Sequence, residues 1–137
     1  MGGAMDNQAI VRSYVDRIWN RHDHTAIDEV VRADFTQHGR GLKTGREGIH
    51  TFYRMIESAF SDIVMTIDDM FGEGDKVVFR WTLQATHSGP FQGLRPSGKP
   101  ATLTGITILR LENGQIVENW IEQDMAGLIH QLRSASI

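Results

Sequence analysis

The chain has 137 residues, 40% of them hydrophobic and 23% charged, with no cysteine and a formal net charge of −3. That is the size and composition of one globular domain with a single core. Without cysteine there is no disulfide, thiolate nucleophile or thiolate metal ligand, and a slightly acidic chain without a basic stripe excludes an ordinary nucleic-acid surface. No cationic segment followed by an apolar run opens the chain, and no stretch nears the ~20 apolar residues of a membrane span, which predicts a cytoplasmic protein. Residues 1–5 read as a start outside the fold, with Met1 to Ala4 a cloning-derived remnant before Met5, and residues 6–137 as one domain.

From Asp6 to Arg21 the apolar residues Ile10, Tyr14 and Ile18 recur every fourth position, shadowed by Val11, Val15 and Trp19. This spacing predicts an amphipathic helix with a broad buried stripe. After a turn at His22–His24, Thr25 can cap a short helix carrying Ile27, Val30 and Val31, with Asp28 and Glu29 in its first turn. Phe35 to His38 reads as a short extended piece ending at Gly39 and Gly41, and Arg46 to Phe60 as a third helix with Ile49, Phe52, Tyr53, Ile56 and Phe60 on one side.

Beyond Ser61 the period changes from helical to alternating, and four strands are predicted: Ile63–Phe71, Lys76–His87, Ala101–Glu112 and Gln115–Gln123. Gly72–Asp75 links the first two, and Asn113-Gly114 the last two, as a strong hairpin signal. In the second strand Val77, Phe79, Trp81, Leu83 and Ala85 alternate with Val78, Arg80, Thr82, Gln84 and Thr86, so one face is apolar and the other mixed. Ser88–Pro100 reads as a shaped loop, and Met125–Leu132 as a last helical turn or two. Helices gathered before an antiparallel meander give an α+β fold, helices against one face of a curved sheet. Long twisted strands curl into a cone whose inner wall is core and pocket at once. Tyr14, Trp19, Phe52 and Met55 are candidates for that wall, with Phe60, Trp81, Trp120 and Met125.

The runs GDKVVFRW at Gly74–Trp81, THSGPFQGLRPSGK at Thr86–Lys99 and GITILRLENGQIVENWIEQD at Gly105–Asp124, with DFTQHG at Asp34–Gly39 and GREGI at Gly45–Ile49, resemble the SnoaL-like polyketide cyclases of the nuclear transport factor 2-like superfamily. The resemblance covers nearly the whole chain. It implies a cone-shaped α+β fold with three N-terminal helices, oligomers assembled through the sheets, and metal-free intramolecular aldol closure of polyketide esters with no cofactor. It also implies that Asp124, four residues after Trp120, is the general acid/base, that His38 is a pocket histidine, and that His87 belongs to the Thr-His-x-Gly motif. Phe35-Thr36 stands where the family often has Tyr-Val, and Gly39 where Asp often follows the histidine, which alters the pocket wall.

Read without the family, each of these residues has a plainer role. Asp124 would share a strand face with Ile116 and Trp120 if no bulge intervenes, where apolar neighbours would desolvate it into a better base; by spacing alone it is a cap for the Met125–Leu132 helix. Taken singly, His38 and His87 are structural histidines; only the fold that the resemblance implies makes them partners that orient Asp124 or donate to an enolate oxygen. Arg80 and Arg110 pair with acids such as Glu118 across strands, and the adjacent Asp68 and Asp69 point to opposite faces. No histidine pair has convincing metal-ligand spacing, so no metal is expected. The expected partner is a small apolar or aromatic carbonyl-containing substrate, with neither nucleic acid nor membrane, and the mixed sheet face predicts a homodimer or higher homo-oligomer. The alternatives are another proton-transfer enzyme (a ketosteroid-isomerase-like isomerase, a dehydratase or an epoxide hydrolase) or a non-catalytic small-molecule binding module.

Overall fold

The computed structural model describes residues 4–38 and 45–135. The glycines at 39 and 41, and all but Ala4 of the start read as a remnant, lie outside the described residues.

Helix α1 (Ala4–Val15) runs into a π-helical segment, Asp16–Asn20, followed by α2 (Thr25–Val30), β1 (Val31–His38), α3 (Arg46–Ala59), β2 (Phe60–Glu73), β3 (Lys76–His87), β4 (Pro100–Glu112), β5 (Gln115–Gln123) and α4 (Met125–Ala135). The strands form one sheet in the order β1-β5-β4-β3-β2. All neighbours are antiparallel except β1, which runs parallel to β5. This is the expected α+β architecture, with the N-terminal helices against a curved open sheet. The hairpin between β4 and β5 turns through Asn113 and Gly114, both in the left-handed region at φ 51° and 78°.

Three local features differ from the sequence reading. The short extended piece at Phe35–His38 is the end of a longer strand, because the predicted helix stops at Val30 and Val31 already pairs with Ile116 on β5. The first helix is α-helical only to Val15 and then widens, Arg21 N–H reaching the Asp16 carbonyl at 3.0 Å. The cause lies in Asn20, whose side-chain amide accepts from Met65 N–H at 2.7 Å and donates to the Met65 carbonyl at 3.1 Å. β2 is an edge strand, so these backbone groups have no neighbouring strand, and the amide stands in for one. Gln131 of α4 does the same for Thr102 of β4, at 2.8 and 2.9 Å. The third difference is a β-bulge between Ile67 and Asp69, which brings both Asp68 and Asp69 to Arg80 instead of sending them to opposite faces.

The core fills the space between the concave sheet face and the helices, with Val11, Val15, Tyr53, Ile56, Val77, Trp81, Leu109 and Ile116 among its buried members. Trp81 sits opposite Gly105 across β3 and β4, and its indole N–H donates to the Thr107 hydroxyl at 2.9 Å. A Cβ at Gly105 would collide with the indole and come within 2.8 Å of the Glu122 carbonyl oxygen. We therefore expect Gly105→Ala to destabilise the fold by about 1–3 kcal/mol through overpacking. Urea unfolding with an unchanged midpoint would contradict this packing.

Candidate functional site

The concave face and the helices line a partly open cavity of about 110 Å³. From the helices Tyr14, Ile18, Trp19, Phe52, Tyr53 and Ile56 reach into it, and from the sheet mainly Phe35, Met65, Phe79, Trp81, Leu83 and Leu103. The π-helical turn brings Trp19 to lie 4.7 Å from the Tyr53 ring and edge-on to Phe52 at 6.4 Å. Polar side chains interrupt this wall at Gln37 on β1, Thr107 on β4, and Asn119 and Gln123 on β5. Among the described residues, the lining contains no Asp, Glu, His, Lys or Arg. Its only ionisable groups are the Tyr14 and Tyr53 phenols. Burial pushes both well above their ordinary value, and for Tyr53 the nearby Glu57 charge and then Tyr14 push the same way. Both phenols are therefore neutral hydrogen-bonding groups.

The polar strip on β5 follows from one bulge. Leu111 pairs with Ile116 but Arg110 pairs with Glu118, so Val117 is an extra residue and the alternation resets. Ile116 before the bulge and Asn119, Ile121 and Gln123 after it line the cavity, whereas Glu118 and Trp120 turn to the outer face.

The expected wall residues divide accordingly. Tyr14, Trp19, Phe52, Phe60 and Trp81 line the cavity. Met55 does not: it sits on the solvent side of α3 with 42% of its surface exposed. Trp120 is likewise outside, stacked on His38 at 5.0 Å with the Lys76 ammonium 5.5 Å from its ring. Met125 packs against the core without being part of the cavity wall.

The structure does not bring Asp124, His38 and His87 to one point. Asp124 is exposed at the start of α4, where its Oδ1 accepts the Gly127 N–H at 2.9 Å and its carbonyl accepts from Leu128. That is the geometry of a helix cap. Shielding by Trp120 fails because the bulge puts Ile116 and Trp120 on opposite faces. His38 lies on the outer face, with Nε2 2.7 Å from a Glu118 oxygen, and its neighbour Gln37 is the residue that enters the cavity. His87 is fully buried beneath the Ser88–Lys99 loop. Its Nδ1 accepts the Ser97 N–H at 3.3 Å, which assigns the proton to Nε2, and the ring packs on Phe60 at 5.6 Å. Phe91 from the same loop meets Phe60 edge-on at 5.2 Å, so the loop is pinned to the back of the cavity wall.

Sequence reading missed Tyr53, Asn119, Gln37, Thr107 and Gln123 as site residues. The signal for β5 was present in the adjacent apolar pair Ile116-Val117, which breaks strict alternation and marks the extra residue.

Charge is concentrated outside. Arg110 pairs with Glu118 at 2.8 Å, as its strand position predicted, and with Glu112; Arg32 joins Glu112 to Asp34.

The sequence profile of the SnoaL-like polyketide cyclases matches residues 9–132. Among solved structures, the chain is similar to AclR of Streptomyces galilaeus, described as a candidate hydroxylase, with TM-score 0.87 and 25% identity over 96% of this chain and 83% of that one. It is also similar to TsrD of Streptomyces laurentii, with TM-score 0.80 and 28% identity over 93% and 96% of the two chains. IdmH of Streptomyces antibioticus, described as a candidate polyketide cyclase, gives TM-score 0.80 and 25% identity over 93% and 98%. No curated protein matches. Among the described residues no helix is long and apolar enough to cross a membrane.

The outer-face network makes a pH prediction. The Arg110 guanidinium, and after it His38, holds the Glu118 carboxyl below its ordinary value. A carboxyl depressed in the folded state contributes stability that is complete above its unfolded value, about 4.3, and is lost as pH falls through the lower folded value. Glu118→Gln should therefore be less stable than the native chain near neutrality and lose less below about pH 4.3. Unfolding free energies for the two proteins that run parallel from neutral to acid pH would refute this role for Glu118.

Proposed function

Because this chain belongs to the SnoaL-like polyketide cyclase family, we propose that it is a cyclase-type enzyme that closes a ring in a small, neutral, polyketide-like molecule by intramolecular aldol condensation. The observation that carries the reading is the largely apolar cavity, whose polar groups are all uncharged among the described residues. In such a reaction a base takes a proton from a carbon between two carbonyls, that carbon bonds to a third carbonyl carbon, and the resulting alkoxide takes a proton back. Protons and electrons balance without a redox partner. A carbon flanked by two carbonyls is already fairly acidic, so a base of modest strength suffices if the cavity excludes water and holds the chain folded. Neutral donors such as the Tyr53 and Tyr14 hydroxyls suit the developing enolate.

Asp124 is the proposed acid/base, at the edge of the cavity and not within it. Its support is position: Gln123 immediately before it and Leu128 four residues after it both line the cavity. A second reading, a binding module that performs no chemistry, is favoured by the absence of any carboxylate or imidazole from the described lining. One experiment separates them. An aromatic ester with a β-dicarbonyl side chain is incubated with the native chain, with Asp124→Asn and with Leu103→Trp, which fills the cavity. Under the enzyme reading Asp124→Asn binds normally but turns over roughly 10²–10⁴-fold more slowly, as expected for loss of a general base, while Leu103→Trp neither binds nor turns over. Binding without ring closure by the native chain would establish the module reading. Full turnover by Asp124→Asn would move the base elsewhere, and since Asn is itself a good cap, its stability should change little.

We also propose that the chain is a homodimer joined through the outer sheet face. Val64, Phe71 and Ile106 are exposed there at 52%, 62% and 49%, beside Val78, Ile108 and Trp120. A second copy would cover this face, which the helices cannot reach. Light scattering should give twice 15.4 kDa, and Ile106→Glu should halve it; a native monomer at micromolar concentration would overturn the dimer.

A further inference from the structure

Two atoms in the cavity wall are buried and have no hydrogen-bond partner: the Tyr53 hydroxyl oxygen and the Asn119 Oδ1. Buried polar atoms are bonded in roughly nine cases out of ten, because each one left alone has given up its hydrogen bonds to water. Here two of them belong to residues that line the same cavity, from opposite layers of the fold. Tyr53 comes from α3, its ring held by Trp19 at 4.7 Å and by the edge of His24 at 4.8 Å. Asn119 comes from β5, turned inward by the bulge and flanked by Gln37 and Leu109 across the strands. The two atoms do not bond to each other.

We propose that Tyr53 and Asn119 form a two-point recognition pair for a ligand carrying both a carbonyl, which accepts from Tyr53, and a hydroxyl or N–H, which donates to Asn119. This rests on the reading of the cavity as the ligand site. The assignment of roles follows from chemistry. A neutral phenol can rotate its proton toward a carbonyl oxygen, and Tyr53 stays neutral because burial and the Glu57 charge both oppose its ionisation. An amide oxygen can only accept, so Asn119 requires a donor. A ligand that lacks either group leaves a buried atom unsatisfied and is selected against. Apolar contacts with Trp19, Phe52 and Trp81 supply attraction but do not discriminate in this way. A charged ligand finds no counter-charge in the described wall.

The test uses four bicyclic probes of one shape: tetralin, tetralone with the carbonyl only, tetrahydronaphthol with the phenolic hydroxyl only, and hydroxytetralone with both. Affinities are measured by calorimetry on the native chain, Tyr53→Phe and Asn119→Leu. On the native chain each matched group should tighten binding about tenfold over tetralin, the worth of one buried hydrogen bond. Tyr53→Phe should abolish the gain from the carbonyl and keep that from the hydroxyl; Asn119→Leu should do the reverse. Each protein is compared with itself across the four probes, so a general loss of stability moves all four together and does not imitate the result. If Asn119→Leu does not fold, the native series and Tyr53→Phe still decide. Equal affinity of the native chain for all four probes, or discrimination that survives both substitutions, overturns the pair while leaving the cavity as a ligand site. Failure of all four to bind any form overturns the cavity reading and the pair with it.

Discussion

Everything distinctive about the cavity depends on the single extra residue at Val117. Strand alternation is strict, so a shift by one position exchanges the two faces of every residue beyond it. Without the bulge, Glu118, Trp120 and Glu122 would point among the core side chains, and two carboxylates would need partners in an apolar interior. With it, Glu118 meets Arg110 and His38 on the outer face, Trp120 stacks on His38, and the inward positions fall to Asn119, Ile121 and Gln123. A buried unpaired charge costs far more than the ladder hydrogen bond a bulge disrupts. The bulge and the outer charge network are therefore one device, each making the other affordable.

The fold was legible because its signals are local and redundant. β3 alternates without a break from Val77 to His87, Asn113-Gly114 specifies a tight turn, and α3 keeps its apolar residues on one side; all three elements appear within a residue of their predicted bounds. What the sequence concealed was set by distant partners. β1 begins at Val31 because β5 is there to pair with, and the first helix widens after Val15 because Asn20 must reach Met65, 45 positions on. At both places the helical pattern of apolar residues runs on, and tertiary hydrogen bonding overrides it.

The site was less legible for the same reason. Assigning Asp124, His38 and Trp120 to the cavity required the face of each residue, and face is the property a bulge changes. The aromatic residues on the helices and on β3 fell where expected because no irregularity intervenes: Tyr14, Trp19, Phe52, Phe60 and Trp81 all line the cavity. Tyr53, on the apolar side of the third helix, is a core residue with 1% of its surface exposed. Burial and site membership do not conflict in a cone, where the innermost residues of the core are also the cavity wall.

The separation of charge from cavity constrains what chemistry the fold can perform. The described ion pairs sit on the sheet's outer face or the helix surfaces, as Arg110–Glu118, Arg80–Asp69 and Arg17–Glu29 do. At such sites solvent screens them, and they do little to the potential inside. The interior thus offers a low-dielectric space furnished with neutral dipoles: two phenols, the amides of Gln37, Asn119 and Gln123, and one threonine hydroxyl already engaged by Trp81. In that medium a hydrogen bond is stronger than in water, and an unmatched one is correspondingly costly. Such a wall can stabilise charge as it develops on a substrate oxygen, but among the described residues it has no strong base of its own with which to create that charge. Proton removal must then come from a group at the cavity's edge or from a substrate acidic enough to need little help. Under the proposed cyclase reading, an activated carbon between two carbonyls therefore suits such an interior, and an unactivated carbon does not.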